Sequence, residues 1–221
     1  MTKAGPLRWA TGAGWLVLMG GGEVWEANDR LLARADFSRP IAILPAASGS
    51  VAWGEWLLDE YADLGGPRGY VVPLFTPEDA HSEENERLLA EAGLILLEDG
   101  DGVALARTLR GSPALYGMAE AFARGATVVG IGAGAASLGE WVLAMEEGAD
   151  TIGERGWGWV HGAIVVPRFH DAAQEPRLRE LLQKWPGMLG LGIPEGVALA
   201  LGPDGQVETW GEGNVTVVVA Y

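Results

Sequence analysis

A buried strand that runs into a bend of small residues and then a helix presents one side chain at the end of a parallel sheet. The stretch Val128-Val129-Gly130-Ile131-Gly132-Ala133-Gly134-Ala135-Ala136-Ser137 has the composition for this arrangement. Valine and isoleucine suit a pleated, buried strand, and glycine and alanine let the backbone bend sharply. The helix end behind the bend favours developing negative charge. In α/β hydrolytic enzymes such a turn is the nucleophile elbow. By itself, a Gly/Ala-rich turn serves equally as a close-packed connection with no chemistry. The apex residue, Gly132, has no side chain with which to attack a substrate.

Other reactive groups are few. The chain has no cysteine, which excludes disulfides, thiolate nucleophiles and zinc–thiolate sites. Its histidines are His81, His161 and His170, and no two have metal-ligand spacing, so neither a metal site nor a cofactor is expected. Ser137 lies five residues into the helix and is expected to pack there. Ser48 and Ser50 follow the second strand and could line the same crevice, but nothing nearby activates them. His81 precedes an acidic helix, where it is expected to be solvated, and a structural role is expected for His161.

These residues need a frame to hold them. Apolar runs at Leu16 to Met19, Ile41 to Leu44, Tyr70 to Leu74, Leu94 to Leu97 and Ala126 to Ile131 read as strands. Between them lie helical patterns at Asp29 to Ala35, Val51 to Leu64, Ser82 to Ala92 and Pro113 to Arg124, with a further helix predicted over Ala135 to Met145. Strands alternating with helices predict βαβ units and a mainly parallel, doubly wound sheet. Beyond Gly162 a strand is expected at Ala163 to Val166 and a helix at Pro176 to Lys184. Three close strands follow, at Gly196 to Leu201, Gln206 to Trp210 and Val215 to Ala220. The turn Pro203-Asp204-Gly205 predicts an antiparallel C-terminal hairpin. No linker or repeat divides residues 1–221, so one domain is expected.

The chain has 221 residues and a formal net charge of −15, from 30 acidic and 15 basic side chains. A surface of that sign repels phosphate backbones, so no nucleic-acid partner is expected. No apolar run is long enough to span a membrane, and no targeting segment is evident, so a cytoplasmic protein is expected. Most of the ten tryptophans are expected in the core. Trp157 and Trp159, which alternate with glycines, could instead rim a pocket or a homodimer contact.

The stretch around Gly132 resembles the Gly-Thr-Ser-Ala-Gly-Ala elbow of the cyanophycinase and dipeptidase E family of serine peptidases. The similarity extends along nearly the whole chain. Glu98-Asp99-Gly100-Asp101-Gly102 falls on that family's Thr-Gly-Gly-Asp-Gln loop, and Gly111-Ser112-Pro113 on its lead-in to the elbow. Gly20-Gly21-Gly22-Glu23 and Leu44-Pro45-Ala46-Ala47-Ser48 match its first two strand ends. Gly190-Leu191-Gly192-Ile193-Pro194-Glu195 is similar to its Gly-Ile-Gly-Ile-Asp-Glu, and Gly211-Glu212-Gly213-Asn214-Val215 to its closing strand. The resemblance implies a flavodoxin-like α/β sheet related to class I glutamine amidotransferases. It also implies hydrolysis of acidic dipeptides or of an aspartate–arginine polymer.

The same resemblance shows where this chain departs. The nucleophile position falls on Gly132. The family's Val-Asp-Gln-His-Phe aligns with Val165-Val166-Pro167-Arg168-Phe169, which places the base position on Arg168, a side chain that stays protonated. His170 lies two residues on and, if the strand continued, would share a face with Arg168. Only the implied acid, Glu195, is in place. Asp99 stands in the oxyanion loop, where an acid facing the site would oppose an oxyanion. The expectation is a homologue without serine-peptidase catalysis. A pocket for a small molecule or peptide is expected at the strand ends, lined by Gly100, Asp101, Gly132, Ala133, Arg168 or His170, and Glu195, unless the role is structural. The alternative is a hydrolase in which Glu195 or Asp101 activates water.

Overall fold

The computed structural model describes residues 7–22, 25–45, 47, 49–146 and 149–220. In chain order the elements are β1 (Arg8–Trp9), β2 (Leu16–Met19), α1 (Trp25–Leu32), β3 (Ile41–Leu44), α2 (Ala52–Asp63), β4 (Gly69–Val71), α3 (Glu83–Glu91), β5 (Leu94–Leu97), α4 (Gly102–Leu109), α5 (Pro113–Ala123), β6 (Thr127–Ile131) and α6 (Ala133–Ser137). They continue with β7 (Trp141–Glu146), β8 (Ala149–Arg155), β9 (Val160–His161), β10 (Ala163–Pro167), α7 (Asp171–Gln183), β11 (Leu189–Ile193), β12 (Ala198–Leu201), β13 (Val207–Trp210) and β14 (Thr216–Val219).

Seven strands form the main sheet, in the order β13-β12-β2-β6-β5-β3-β4. The five from β2 to β4 are parallel, and β12 and β13 add antiparallel at one edge. Successive side chains of these strands point to opposite faces, and the apolar residues divide accordingly between two cores. Leu16, Leu18, Ala42, Leu44, Ile95, Leu97 and Val128 face one core, with Leu89, Leu105, Met118 and Phe122 of α3, α4 and α5. Val17, Met19, Ile41, Ile43, Leu94, Leu96 and Val129 face the other, with Leu31, Leu57 and Tyr61 of α1 and α2. Helices therefore cover both faces, which is why the strand sequences are apolar throughout rather than alternating. Side-chain caps begin the helices on the first face. Ser82 accepts from Asn85 N–H, Asp101 from Ala104 N–H and Ser112 from Leu115 N–H.

A second sheet of five strands runs β14-β11-β10-β7-β8. Val165, Leu191 and Ile193 of this sheet join the first core. Ile164 and Val218 pack the opposite face against Leu178 and Leu182 of α7. The hairpin expected near the C-terminus is β12–β13, and the chain then returns to the second sheet, where β14 pairs antiparallel with β11.

The helix predicted over Ala135 to Met145 is not formed. α6 stops at Ser137, and Trp141–Glu146 is strand β7. The carbonyls that a longer helix would use are taken by another segment. Trp157 N–H donates to Ser137 O at 2.8 Å, Gly158 N–H to Gly139 O at 2.9 Å and Val160 N–H to Leu138 O at 2.9 Å. Glu140 N–H donates to Ala163 O, which draws the chain into the second sheet. Strands β8 and β11 and helix α4 had no counterpart in the sequence reading.

The tryptophans serve mainly as packing groups. Trp159 is buried against Phe122 and Trp157 is half-buried with its Nε1 donating to Ala106 O, whereas Trp53 and Trp56 depart from the core expectation and are exposed on α2. The Arg34 guanidinium lies 4.6 Å from the Trp15 ring and 5.0 Å from that of Trp210, and donates to both carboxylate oxygens of Glu208 and to Arg30 O. Among the described residues no helix is long and apolar enough to cross a membrane.

Candidate active site

The carboxyl ends of β2, β5, β6, β10 and β11 converge, and each is followed by a residue of the candidate site. Open α/β sheets bind ligands at such ends. After β6 the chain bends at Gly132, which has φ 51 and ψ −110, directly into α6. This is the strained strand-to-helix elbow anticipated from the sequence, and it costs a residue with a β-carbon of order 1–3 kcal/mol. Strand and helix approach closely because Gly130 has no β-carbon; one there would overlap the backbone of Gly134 and Ala135. Gly132 N–H donates to Met19 O at 3.0 Å, which fixes the elbow against the end of β2.

Asp99, on the loop after β5, closes over the elbow. Its Oδ1 accepts from Gly100 N–H at 2.8 Å and from Ala133 N–H at 2.9 Å. Two backbone donors aimed at one oxygen are the components of an oxyanion hole, and here both are spent on the protein's own carboxylate. A β-carbon on Gly132 would overlap Asp99 Oδ1, Cγ and Oδ2. The side chain of a nucleophile and the carboxylate of Asp99 thus compete for one space.

Asp99 Oδ2 accepts from Arg168 Nη2, and Arg168 Nε donates to Glu195 Oε1 at 3.1 Å. Arg168 therefore bridges the two acids. It follows the last residue of β10 with φ 51, the one positive φ outside glycine among the described residues. The strain is held by backbone bonds on either side: Arg168 N–H donates to Gly20 O at 2.8 Å and Phe169 N–H to Ile193 O at 3.1 Å. Burial pushes the Asp99 carboxyl up, but the Arg168 guanidinium and the N–H groups of Ala133 and Gly100 outweigh it and hold the group below the usual aspartate range. The hydrogen bond that Arg168 donates to Asp99, partly opposed by burial, raises the guanidinium in turn.

That positive φ also settles the geometry of His170. The strand alternation that would have placed His170 on the face of Arg168 ends at Pro167. His170 is instead the exposed N-cap residue of α7, with its backbone N–H on Gln174 Oε1. Asp101 caps α4 through Oδ1, 3.0 Å from Ala104 N. Ser137 is buried and donates to Ala133 O, His81 Nδ1 lies 2.8 Å from Pro77 O, and His161 is exposed on β9. Ser50 Oγ accepts from Ala52 N–H at the start of α2, and Ser48 and Glu23 fall outside the described residues.

A cleft of about 540 Å³ opens beside this network. Asp99, Gly100, Asp101, Ala133 and Arg168 form one wall, and Val142, Val165 and Val166 provide much of the other. Two residues expected in the lining are not in it. Gly132 is covered by Asp99, and Glu195 pairs with Arg168 from outside. The residues of β7 were not anticipated because β7 was read as helix, nor Gln174, which precedes the predicted start of α7 at Pro176.

The chain is similar to cyanophycinases from cyanobacteria. It is 26% identical to that of Nostoc sp. over 91% of this chain and 72% of the relative, and 26% identical to that of Trichormus variabilis over the same shares. Among solved structures, a peptidase from an acI-B1 actinobacterium superposes with a TM-score of 0.76 at 24% identity, covering 95% of this chain and 96% of the other. A peptidase E-like protein from Listeria monocytogenes superposes at 0.63 and 13% identity, covering 90% of this chain and 99% of the other. The model of peptidase family S51 matches residues 16–208, which contain the elbow, the Asp99 loop, Arg168 and Glu195, and the chain accordingly belongs to peptidase family S51.

Proposed function

We propose that this chain has given up serine-peptidase chemistry and keeps the family's scaffold to hold a small molecule or peptide in the cleft beside Asp99. One observation carries the reading: the carboxylate of Asp99 fills the space of a nucleophilic side chain and takes both backbone donors of the oxyanion position. Acyl transfer needs a nucleophile, a base to deprotonate it and donors for the oxyanion. In this site the first is absent at Gly132, the second is replaced by a permanently charged guanidinium, and the third are occupied. Hydrolysis by activated water finds little support. Asp101 is engaged as a helix cap, and Glu195 is paired with Arg168.

The test is incubation of the native chain with acidic dipeptides and with aspartate–arginine polymer. No release of amino acids or dipeptides above the blank is expected, and no labelling by a serine-directed fluorophosphonate. Turnover abolished by that reagent would refute the reading.

A further inference from the structure

We infer that Gly100 N–H, Ala133 N–H and the Arg168 guanidinium form a carboxylate-binding site that Asp99 fills from within, as a resident ligand. Every polar contact of the Asp99 head group is the contact a free carboxylate would make. Two backbone donors converge on Oδ1 and one guanidinium nitrogen on Oδ2. Two of the three donors are positioned by elements other than the Asp99 loop. Ala133 is fixed by the elbow and the start of α6, and Arg168 by its backbone bond to Gly20 and its second ion pair with Glu195. The site faces the cleft, since Asp99 and Arg168 both line it and the Asp99 side chain is 29% exposed. A small carboxylate can therefore reach the donors once the Asp99 head group is removed.

For the intact protein this defines the chemistry of the cleft. Because Asp99 engages Gly100 N–H, Ala133 N–H and Arg168 Nη2, a carboxylate or oxyanion in the cleft competes with Asp99 for these three donors. The inference rests on the reading that Asp99 fills the nucleophile space, but the two fail separately. Peptide turnover by the native chain would overturn the proposed loss of catalysis and leave the carboxylate site standing.

The experiment compares the native chain with Asp99→Ala in thermal melts, with sodium formate against sodium chloride at equal ionic strength. Formate at ten times its Kd is expected to raise the folded-to-unfolded ratio of Asp99→Ala about elevenfold, with no difference between the salts for the native chain. In ¹H–¹⁵N spectra of Asp99→Ala the amides of Gly100 and Ala133 should move together on adding formate. Adding Arg168→Gln should weaken formate binding at least tenfold. Asp99→Gly serves as a second variant with the same expectations, and folding of either variant only in formate would also support the site. Variants that melt identically in the two salts, unmoved Gly100 and Ala133 amides, or failure of formate to restore folding to either variant would overturn it.

Discussion

Asp99 and Gly132 share one volume: the carboxylate of the first lies where a β-carbon on the second would stand. Asp99 cannot yield cheaply, because both of its oxygens are bonded. Gly132→Ser is therefore expected to destabilise the fold by about 3 kcal/mol, from a strained φ and an overpacked contact together. Urea denaturation measures this. Asp99→Gly in the same chain should return the overpacking part, so the two substitutions should couple favourably in a double-mutant cycle.

Recovery of hydrolysis requires three changes rather than two. From the sequence, serine at 132 with histidine at 168 is the minimal repair. The structure adds that the donors must also be freed, so Asp99→Gly is needed with Gly132→Ser and Arg168→His. The triple variant is expected to hydrolyse an acidic dipeptide on the order of a hundredfold above background, the scale of general-base assistance. Each double variant should stay at background. Activity in Gly132→Ser alone would show that Asp99 leaves the hole readily.

Arg168 governs the acid response of the site. The Asp99 carboxyl is held below the ordinary aspartate value of 3.8 in the folded chain. Its contribution to stability is therefore complete above that value and is lost as pH falls through the lowered folded value. In Arg168→Gln the burial that pushes the carboxyl up loses its main opponent, and the loss should begin at higher pH. Following the Asp99 carboxyl carbon by NMR through an acid titration tests this. An unchanged midpoint would count against the pairing.

Glu154 supplies a second acid-sensitive tie. The N–H of Arg155 and the guanidinium groups of Arg107 and Arg110 pull its carboxyl from 4.5 down to about 2. The stability it lends by joining β8 to α4 is present above 4.5 and disappears as pH falls toward 2. Glu154→Gln should flatten the stability curve over that window, and urea denaturation between pH 2 and 6 would show whether it does.

Ser112 is buried between two helices. Its Oγ accepts from Leu115 N–H at the start of α5 and donates to Leu109 O at the end of α4. Ser112→Ala is expected to cost about 1–2 kcal/mol, the upper part of the range for a lost cap. Chemical denaturation is the measurement.

The parallel half of the fold was legible because its signals are local. Short apolar runs, the cap Ser82 and Pro113 at a helix start locate β2 through β6 and the helices between them other than α4. β7 was misread because Trp141 to Met145 is an apolar run that suits either period. Its state is decided by backbone partners near Gly156 and Ala163, which no local pattern records. Gly132 was legible as the apex of the strand-to-helix elbow, where the structure has it. The role of Asp99 was not. An acid in the oxyanion loop reads as an obstacle, whereas in the structure it is a ligand, neutralised by an arginine 69 positions away. His170 misled for a related reason, since alternation along β10 presumes an extended backbone and Arg168 breaks it with φ 51.

The bridge from Asp99 through Arg168 to Glu195 also crosses between sheets. Asp99 follows a strand of the seven-stranded sheet, whereas Arg168 and Glu195 follow β10 and β11 of the five-stranded one. The amide protons of Gly100 and Ala133 both rest on one oxygen of Asp99, so a single movement of that carboxylate releases the two together. In native-state hydrogen exchange they should open as one unit, at a free energy below that of global unfolding.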